Sequence, residues 1–83
     1  MKTLDDLRKE IDAIDALVMA QLNQRFSLMK AVKDVKMHMA IDVLDSSREQ
    51  RVLEKTERFE YQKPLHEVYQ LIIRLSKDLQ HDT

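Results

Sequence analysis

Arginine and lysine side chains occupy positions where the helical pattern of this sequence calls for apolar ones. Arg25 lies on the seam of a seven-residue apolar repeat, between Val18 and Val32. Lys36 follows eleven residues later, almost three helical turns, so both side chains are predicted on one helix face. Because a buried guanidinium needs an anion, we expect a carboxylate from the protein or from a ligand beside Arg25.

Polar groups also interrupt the apolar stripes further along the chain. Arg48 shares a predicted helix face with Val52. Ser76 and Gln80 are four residues apart, which makes them neighbours on a helix surface. These positions extend the candidate site beyond the first helix.

The spacing of three candidate cations on the first helix, Arg8, Arg25 and Lys36, limits how they can share a ligand. Arg25 and Lys36 are separated by roughly 16 Å of helix axis, which two long side chains and a small ligand can bridge. Arg8 is roughly 25 Å from Arg25, too far to bind the same small molecule. Arg8 could join the site only from an antiparallel second copy of the chain.

The first helix is predicted over residues 4–39, with Thr3 as its N-cap. Nine of the eleven positions of its heptad seam are apolar. At roughly 50 Å it is longer than a domain of this size is wide, about 25 Å, so its stripe needs a second copy as partner. The seam consists of Leu4, Leu7, Ile11, Ile14, Val18, Gln21, Arg25, Leu28, Val32, Val35 and Met39.

Two further helices complete the predicted all-α fold. Residues 41–44 link to a second helix over 46–59, and Pro64 opens a third over 64–80. We expect three helices per chain, residues 1–83 as one domain, and an intertwined six-helix homodimer. The inner face of helix two would carry Arg48, Val52, Thr56 and Phe59, and the stripe of helix three Leu65, Val68, Ile72, Leu75 and Leu79.

Composition excludes several classes of function. The 83 residues include no glycine and no cysteine, which rules out a glycine-rich phosphate loop, disulfides and thiolate zinc sites. A net charge of −1 gives no reason to expect nucleic acid, and no apolar run is long enough for a membrane span. His38, His66 and His81 lack paired metal-ligand spacing, so we expect no metal ion. We also expect no cofactor and a cytoplasmic location.

The ordered set of these residues resembles the all-helical, intertwined-dimer chorismate mutases. The likeness covers essentially the whole chain, and no single segment of it is specific alone. It is carried by Leu7-Arg8-Lys9-Glu10-Ile11-Asp12, by Arg25 with Lys36, by Asp45-Ser46-Ser47-Arg48-Glu49, and by Gln70-Leu71-Ile72-Ile73 leading to Ser76 and Gln80.

This resemblance implies a cofactor-free rearrangement of chorismate to prephenate in aromatic amino acid biosynthesis. It implies that Arg25 and a partner-chain Arg8 bind the two substrate carboxylates, for which arginine forks are suited. Lys36 and Gln80 would donate hydrogen bonds to the ether oxygen as negative charge develops there.

The same resemblance assigns the remaining polar residues to the rest of the substrate. Glu49 would accept a hydrogen bond from the ring hydroxyl, and Asp45 would help to place that end. Arg48 and Ser76 would complete the polar wall. The implied catalytic residues are Lys36, Gln80, Arg25 and Glu49.

Each residue also has an ordinary structural interpretation. Arg25 could pair with an acid across a dimer seam, and Lys36 and Arg48 could be solvated surface groups. Ser46 and Glu49 could form a capping box, with Asp45 as an ordinary cap. Ser76 and Gln80 could be surface groups near a fraying C-terminus.

Two other functions remain open on the sequence. One is a related lyase that cleaves isochorismate to salicylate and pyruvate in a similar cationic cage. The acid matched by Glu49 argues against it. The other is a non-catalytic helical dimer that serves as an interaction module.

Overall fold

The computed structural model describes residues 1–39 and 45–81, and these fold into three α-helices and one 3-10 turn. Helix α1 spans Leu4–Met39, α2 spans Ser46–Glu54, the 3-10 turn spans Lys55–Arg58, and α3 spans Gln62–His81. These described ranges contain no strand, which confirms the all-helical prediction for them. The predicted link at residues 41–44 lies outside the described residues.

Helix α1 begins with a reciprocal cap. The backbone N–H of Asp6 donates to Thr3 Oγ1 at 3.1 Å, and the backbone N–H of Thr3 donates to Asp6 Oδ2 at 3.1 Å. This geometry supplies partners to two backbone donors at the helix start, and the aspartates of the first turn also favour the helix dipole. Thr3 is therefore the N-cap, as the sequence predicted.

Helix α2 begins one residue earlier than a capping box at Ser46 would require. The N-cap is Asp45, whose Oδ1 accepts a 3.0 Å hydrogen bond from the backbone N–H of Arg48. With the cap at residue 45, Glu49 lies one position too far along the helix to close a box. The capping interpretation of Ser46 and Glu49 is wrong, and the Glu49 side chain is available for other contacts.

Helix α2 ends at Glu54, whereas the sequence predicted that it would continue to residue 59. Thr56 Oγ1 donates to the carbonyl of Leu53 at 2.7 Å within the 3-10 turn. A 3-10 turn rotates each residue by about 20° more than an α-helix. The helical backbone ends before Phe59, which is extended and 48% exposed. Phe59 still lines a pocket together with the other residues of the predicted inner face.

Helix α3 begins at Gln62, two residues before the predicted start. Pro64 is the third residue of the first turn, where a backbone N–H would have no intrahelical partner, so the proline costs no hydrogen bond. The helix packs against α1, α2 and the 3-10 turn. Its buried residues are Ile72, Ile73, Ser76 and Gln80.

The N-terminal half of α1 makes little contact with the rest of the chain. Residues 1–20 are all exposed, and the described part of the chain measures 57 × 24 × 14 Å. The apolar side chains of the heptad seam remain on the surface, with Ile11 at 54% and Ile14 at 58% exposure. The core of the described residues is thin, with Ile72 and Ile73 as its buried apolar side chains.

Candidate functional site

All three helices contribute to one cavity of about 180 Å³. The C-terminal half of α1, the first two turns of α2 and the last two turns of α3 enclose it. Seven of the eight residues predicted from the sequence line this cavity. The lining consists of Arg25, Met29, Val32, Lys36, Asp45, Arg48, Glu49, Val52, Ile73, Ser76, Lys77 and Gln80.

A serine on α3 holds the predicted carboxylate-binding arginine. Arg25 Nη1 donates to Ser76 Oγ at 2.6 Å, and Ser76 Oγ donates in turn to the carbonyl of Ile72 at 2.6 Å. A hydroxyl has one hydrogen to donate and two lone pairs to accept with, so both bonds form together. Within residues 1–39 and 45–81, no carboxylate forms an ion pair with Arg25.

A second contact joins the same two helices, one turn further along α3. Lys36 Nζ donates to Gln80 Oε1 at 3.2 Å. An ammonium only donates, so the amide oxygen must face Lys36 and the amide nitrogen must face away. Gln80 Nε2 then donates to the carbonyl of Ser76 at 3.3 Å and to Met29 Sδ at 3.5 Å.

Helix α2 brings both carboxylates of the site. Asp45 caps the helix with one oxygen, and Glu49 one turn later forms an ion pair with Lys77 of α3, Nζ to Oε1 2.8 Å. Arg48 is exposed at the rim of the cavity. The four cations and two carboxylates that line the cavity leave an excess of two positive charges.

Burial separates Ser76 and Gln80 from ordinary surface groups. Ser76 and Gln80 are 5% and 8% exposed, so the surface interpretation of these two residues is wrong. Their polar atoms are all satisfied, which is the usual condition for a buried polar group. Helix α3 continues to His81, and Gln80 therefore has helical backbone on both sides.

Arg8 is the predicted site residue that does not line the cavity. It lies on the exposed N-terminal half of α1, seventeen residues before Arg25 and roughly 25 Å away along the helix. Both residues lie on one continuous helix, so at this separation Arg8 cannot reach the cavity of its own chain.

The sequence interpretation missed Met29 and Lys77. The sequence interpretation did not select Lys77, because a lysine on a helix is usually solvated. Its signal is positional: Ile73, Lys77 and Gln80 are spaced by four and three residues, which places them on one helix face. Met29 lies four residues after Arg25 on the same face of α1 and differs little from a core methionine.

The cavity is suited to binding a small dianion. Arginine and lysine donors bind carboxylates by charge-assisted hydrogen bonds, and Val32, Val52 and Ile73 supply apolar walls. Among residues 1–39 and 45–81, no group of three histidine or acidic side chains could hold a metal ion. No helix of the described ranges is long and apolar enough to cross a membrane.

The fold and the site therefore define a protein that is all-helical in its described residues, with a cavity whose lining carries an excess of positive charge. Residues 7–81 match the chorismate mutase type II family, and the chain belongs to that family.

Two curated relatives are similar over part of the chain. A bifunctional chorismate mutase/prephenate dehydratase of Aquifex aeolicus (strain VF5) is 36% identical over 55 residues, 66% of this chain and 15% of the relative. An intracellular chorismate mutase of Mycolicibacterium smegmatis (strain ATCC 700084 / mc(2)155) is 36% identical over 52 residues, 63% of this chain and 50% of the relative. The matched regions thus span half or less of these relatives. No solved structure matches the chain significantly.

Proposed function

We propose that this protein catalyses the rearrangement of chorismate to prephenate in the cavity between its three helices. One observation carries the proposal: a single cavity gathers Arg25, Lys36, Glu49, Ser76 and Gln80, which are spread over 56 positions of the chain. Family membership supplies the reaction, and the cavity supplies donors for a carboxylate and for a developing oxyanion.

Carboxylate binding begins with Arg25. Ser76 fixes its guanidinium by the 2.6 Å hydrogen bond, so the fork is oriented before the substrate arrives. An arginine held in this way loses less side-chain freedom on binding and can engage a carboxylate with two parallel hydrogen bonds. Arg48 at the cavity rim adds a second cation of the same chain for the polar end of the substrate.

Lys36 and Gln80 would stabilise the ether oxygen. The C–O bond breaks as the C–C bond forms, so negative charge grows on that oxygen, and preorganised donors stabilise this charge most in the transition state. Gln80 directs one amide N–H to Met29 Sδ, and a thioether is a weak acceptor. Exchange of this sulfur contact for the ether oxygen would cost little and give a stronger hydrogen bond.

The remaining groups would hold the substrate in a compact shape. Glu49 would accept a hydrogen bond from the ring hydroxyl, while Asp45 places the start of α2 beside that end. The rearrangement breaks one C–O bond and forms one C–C bond without breaking any bond to hydrogen, so no proton has to be removed. Restricting a flexible substrate to a near-attack conformation then supplies much of the rate.

We also propose that the active form is an intertwined homodimer of single-domain chains, residues 1–83. The exposed seam of α1 supports this arrangement, since an apolar stripe of this length would be unfavourable in water without a partner. In an antiparallel pair, Arg8 of each chain would reach the cavity of the other and bind the second carboxylate. A cytoplasmic location remains a prediction.

Incubation of the purified protein with chorismate, with the product identified by chromatography, tests this function. Prephenate is the expected product. Conversion of isochorismate to salicylate and pyruvate, without prephenate from chorismate, would identify a lyase instead. Failure to convert either compound or to bind a dicarboxylate analogue would indicate a non-catalytic module.

A further inference from the structure

Lys77 forms an ion pair inside the candidate site that neither the sequence pattern nor the proposed mechanism uses. Its ammonium lies 2.8 Å from Glu49 Oε1, and the pair connects α3 to α2. Both residues line the cavity, and their side chains are 35% and 25% exposed. The contact therefore lies at the wall of the site, where water is partly excluded.

Glu49 needs such a partner if the cavity binds a dianion. A carboxylate at the wall repels the carboxylates of a ligand, and the repulsion grows as water leaves the cavity. The negative charge of Asp45 is stabilised in another way, because a backbone N–H of the helix start donates to its Oδ1. In the described part of the chain, the cation that forms an ion pair with Glu49 is Lys77.

The geometry of the pair also fixes the orientation of the carboxylate. Lys77 donates to Oε1, so Oε2 retains both of its lone pairs for a hydrogen bond from the substrate hydroxyl. Solvated surface pairs contribute little to stability. This pair differs because it lies between two helices and holds a group that faces the ligand.

We propose that Lys77 is a positioning residue of the active site, which holds the Glu49 carboxylate in place and offsets its charge when the dianionic substrate binds. This inference rests on the proposed chorismate mutase activity. It makes Lys77 a determinant of substrate affinity that acts through Glu49 and not by direct contact with chorismate.

Steady-state kinetics of Lys77→Met test the proposal. We expect KM for chorismate to rise about tenfold with kcat within about twofold, because the uncompensated carboxylate opposes the bound substrate and the transition state equally. Lys77→Arg, which keeps the charge, should restore KM to within about threefold of wild type. Arg74→Met is the matched control, since it removes one exposed cation from the same helix outside the cavity, and it should leave both constants unchanged.

A double-mutant cycle with Glu49→Gln decides whether Lys77 acts through Glu49. In the Glu49→Gln background, Lys77→Met should change KM by less than about twofold, because the charge to be offset is gone. Lys77→Gln serves as a second variant if Lys77→Met does not give a helical protein by circular dichroism.

The outcomes separate this proposal from the function on which it rests. A fall in kcat at constant KM would mean that Lys77 supports an interaction made only in the transition state, and it would overturn the proposed role in substrate affinity. An undiminished effect in the Glu49→Gln background would also overturn it, since Lys77 would then contact the substrate itself. Both of these results leave chorismate mutase activity intact, whereas no turnover by the wild-type protein would overturn the activity and the role of Lys77 together.

Discussion

Arg25 and Ser76 are 51 residues apart in the sequence, and a 2.6 Å hydrogen bond joins the guanidinium of one to the hydroxyl of the other. The Ser76 hydroxyl donates its own hydrogen bond to the carbonyl of Ile72. Its hydroxyl therefore acts as an acceptor toward the cavity. In the proposed mechanism Ser76 serves the substrate indirectly, by orienting the arginine that binds a carboxylate.

Replacement of Ser76 by alanine tests this relationship. Ser76→Ala removes the acceptor of Arg25, so we expect kcat/KM to fall roughly tenfold, since a hydrogen bond to a charged group contributes about 1.5–3 kcal/mol. Ser27→Ala is the control, because the Ser27 hydroxyl bonds only to the carbonyl of Gln24 on the exposed surface of α1. Equal kcat/KM for wild type and Ser76→Ala would contradict the orienting role.

Lys36 should be the residue whose loss lowers kcat most. Lys36→Met keeps the length of the side chain but removes the donor proposed for the ether oxygen, and one such donor contributes about 3–4 kcal/mol to the barrier. We expect kcat to fall by about 100- to 1000-fold with a small change in KM. Lys30→Met, on an exposed face of α1 outside the cavity, should keep wild-type turnover. A folded Lys36→Met protein with near-normal kcat would remove Lys36 from the mechanism.

The cap of α2 can be tested separately from the chemistry. Asp45→Asn preserves an oxygen acceptor for the backbone N–H of Arg48, whereas Asp45→Ala does not. We expect the free energy of unfolding to fall by about 1 kcal/mol in Asp45→Ala and by much less in Asp45→Asn. Urea unfolding at one fixed protein concentration measures both, because the stability of a dimer depends on concentration. Equal destabilisation by the two substitutions would show that the oxygen acceptor of Asp45 is not what stabilises the start of α2.

How far the sequence predicts this structure depends on the kind of interaction. The bounds of α1 follow from its heptad pattern and the Thr3 cap, because both are local. The 3-10 turn does not follow, because the helical pattern of the sequence continues through residues 55–58 and does not show where the backbone tightens. The partner of Glu49 does not follow either, since the contact with Lys77 exists only once α3 has docked beside α2.

The candidate site shows the same difference between features that are local in the sequence and contacts that depend on helix packing. Polar residues on apolar faces identified Arg25, Lys36, Ser76 and Gln80 as inward-facing positions. Periodicity could not tell which of them touch, because this depends on the relative shift of two helices along their axes. The structure pairs Arg25 with Ser76 and Lys36 with Gln80, and both pairs join α1 to α3.

The proposed dimer predicts complementation between inactive chains. Sedimentation should give a mass twice the 9.9 kDa of one chain. Mixed Arg8→Ala and Arg25→Ala chains should recover about a quarter of wild-type activity, since random exchange makes half of the dimers mixed and each mixed dimer has one intact site. Absence of recovery, after mass spectrometry has verified that subunits exchange, would contradict a site shared between chains.

Prephenate formation from chorismate by the wild-type protein, measured beside Arg25→Ala, tests the central claim most directly. We predict turnover by the wild type, a loss of at least about 100-fold in kcat/KM for Arg25→Ala, and wild-type values for the exposed control Arg74→Ala. No prephenate from the wild-type protein, or equal turnover by Arg25→Ala, would contradict the claim that this cavity is a chorismate mutase active site.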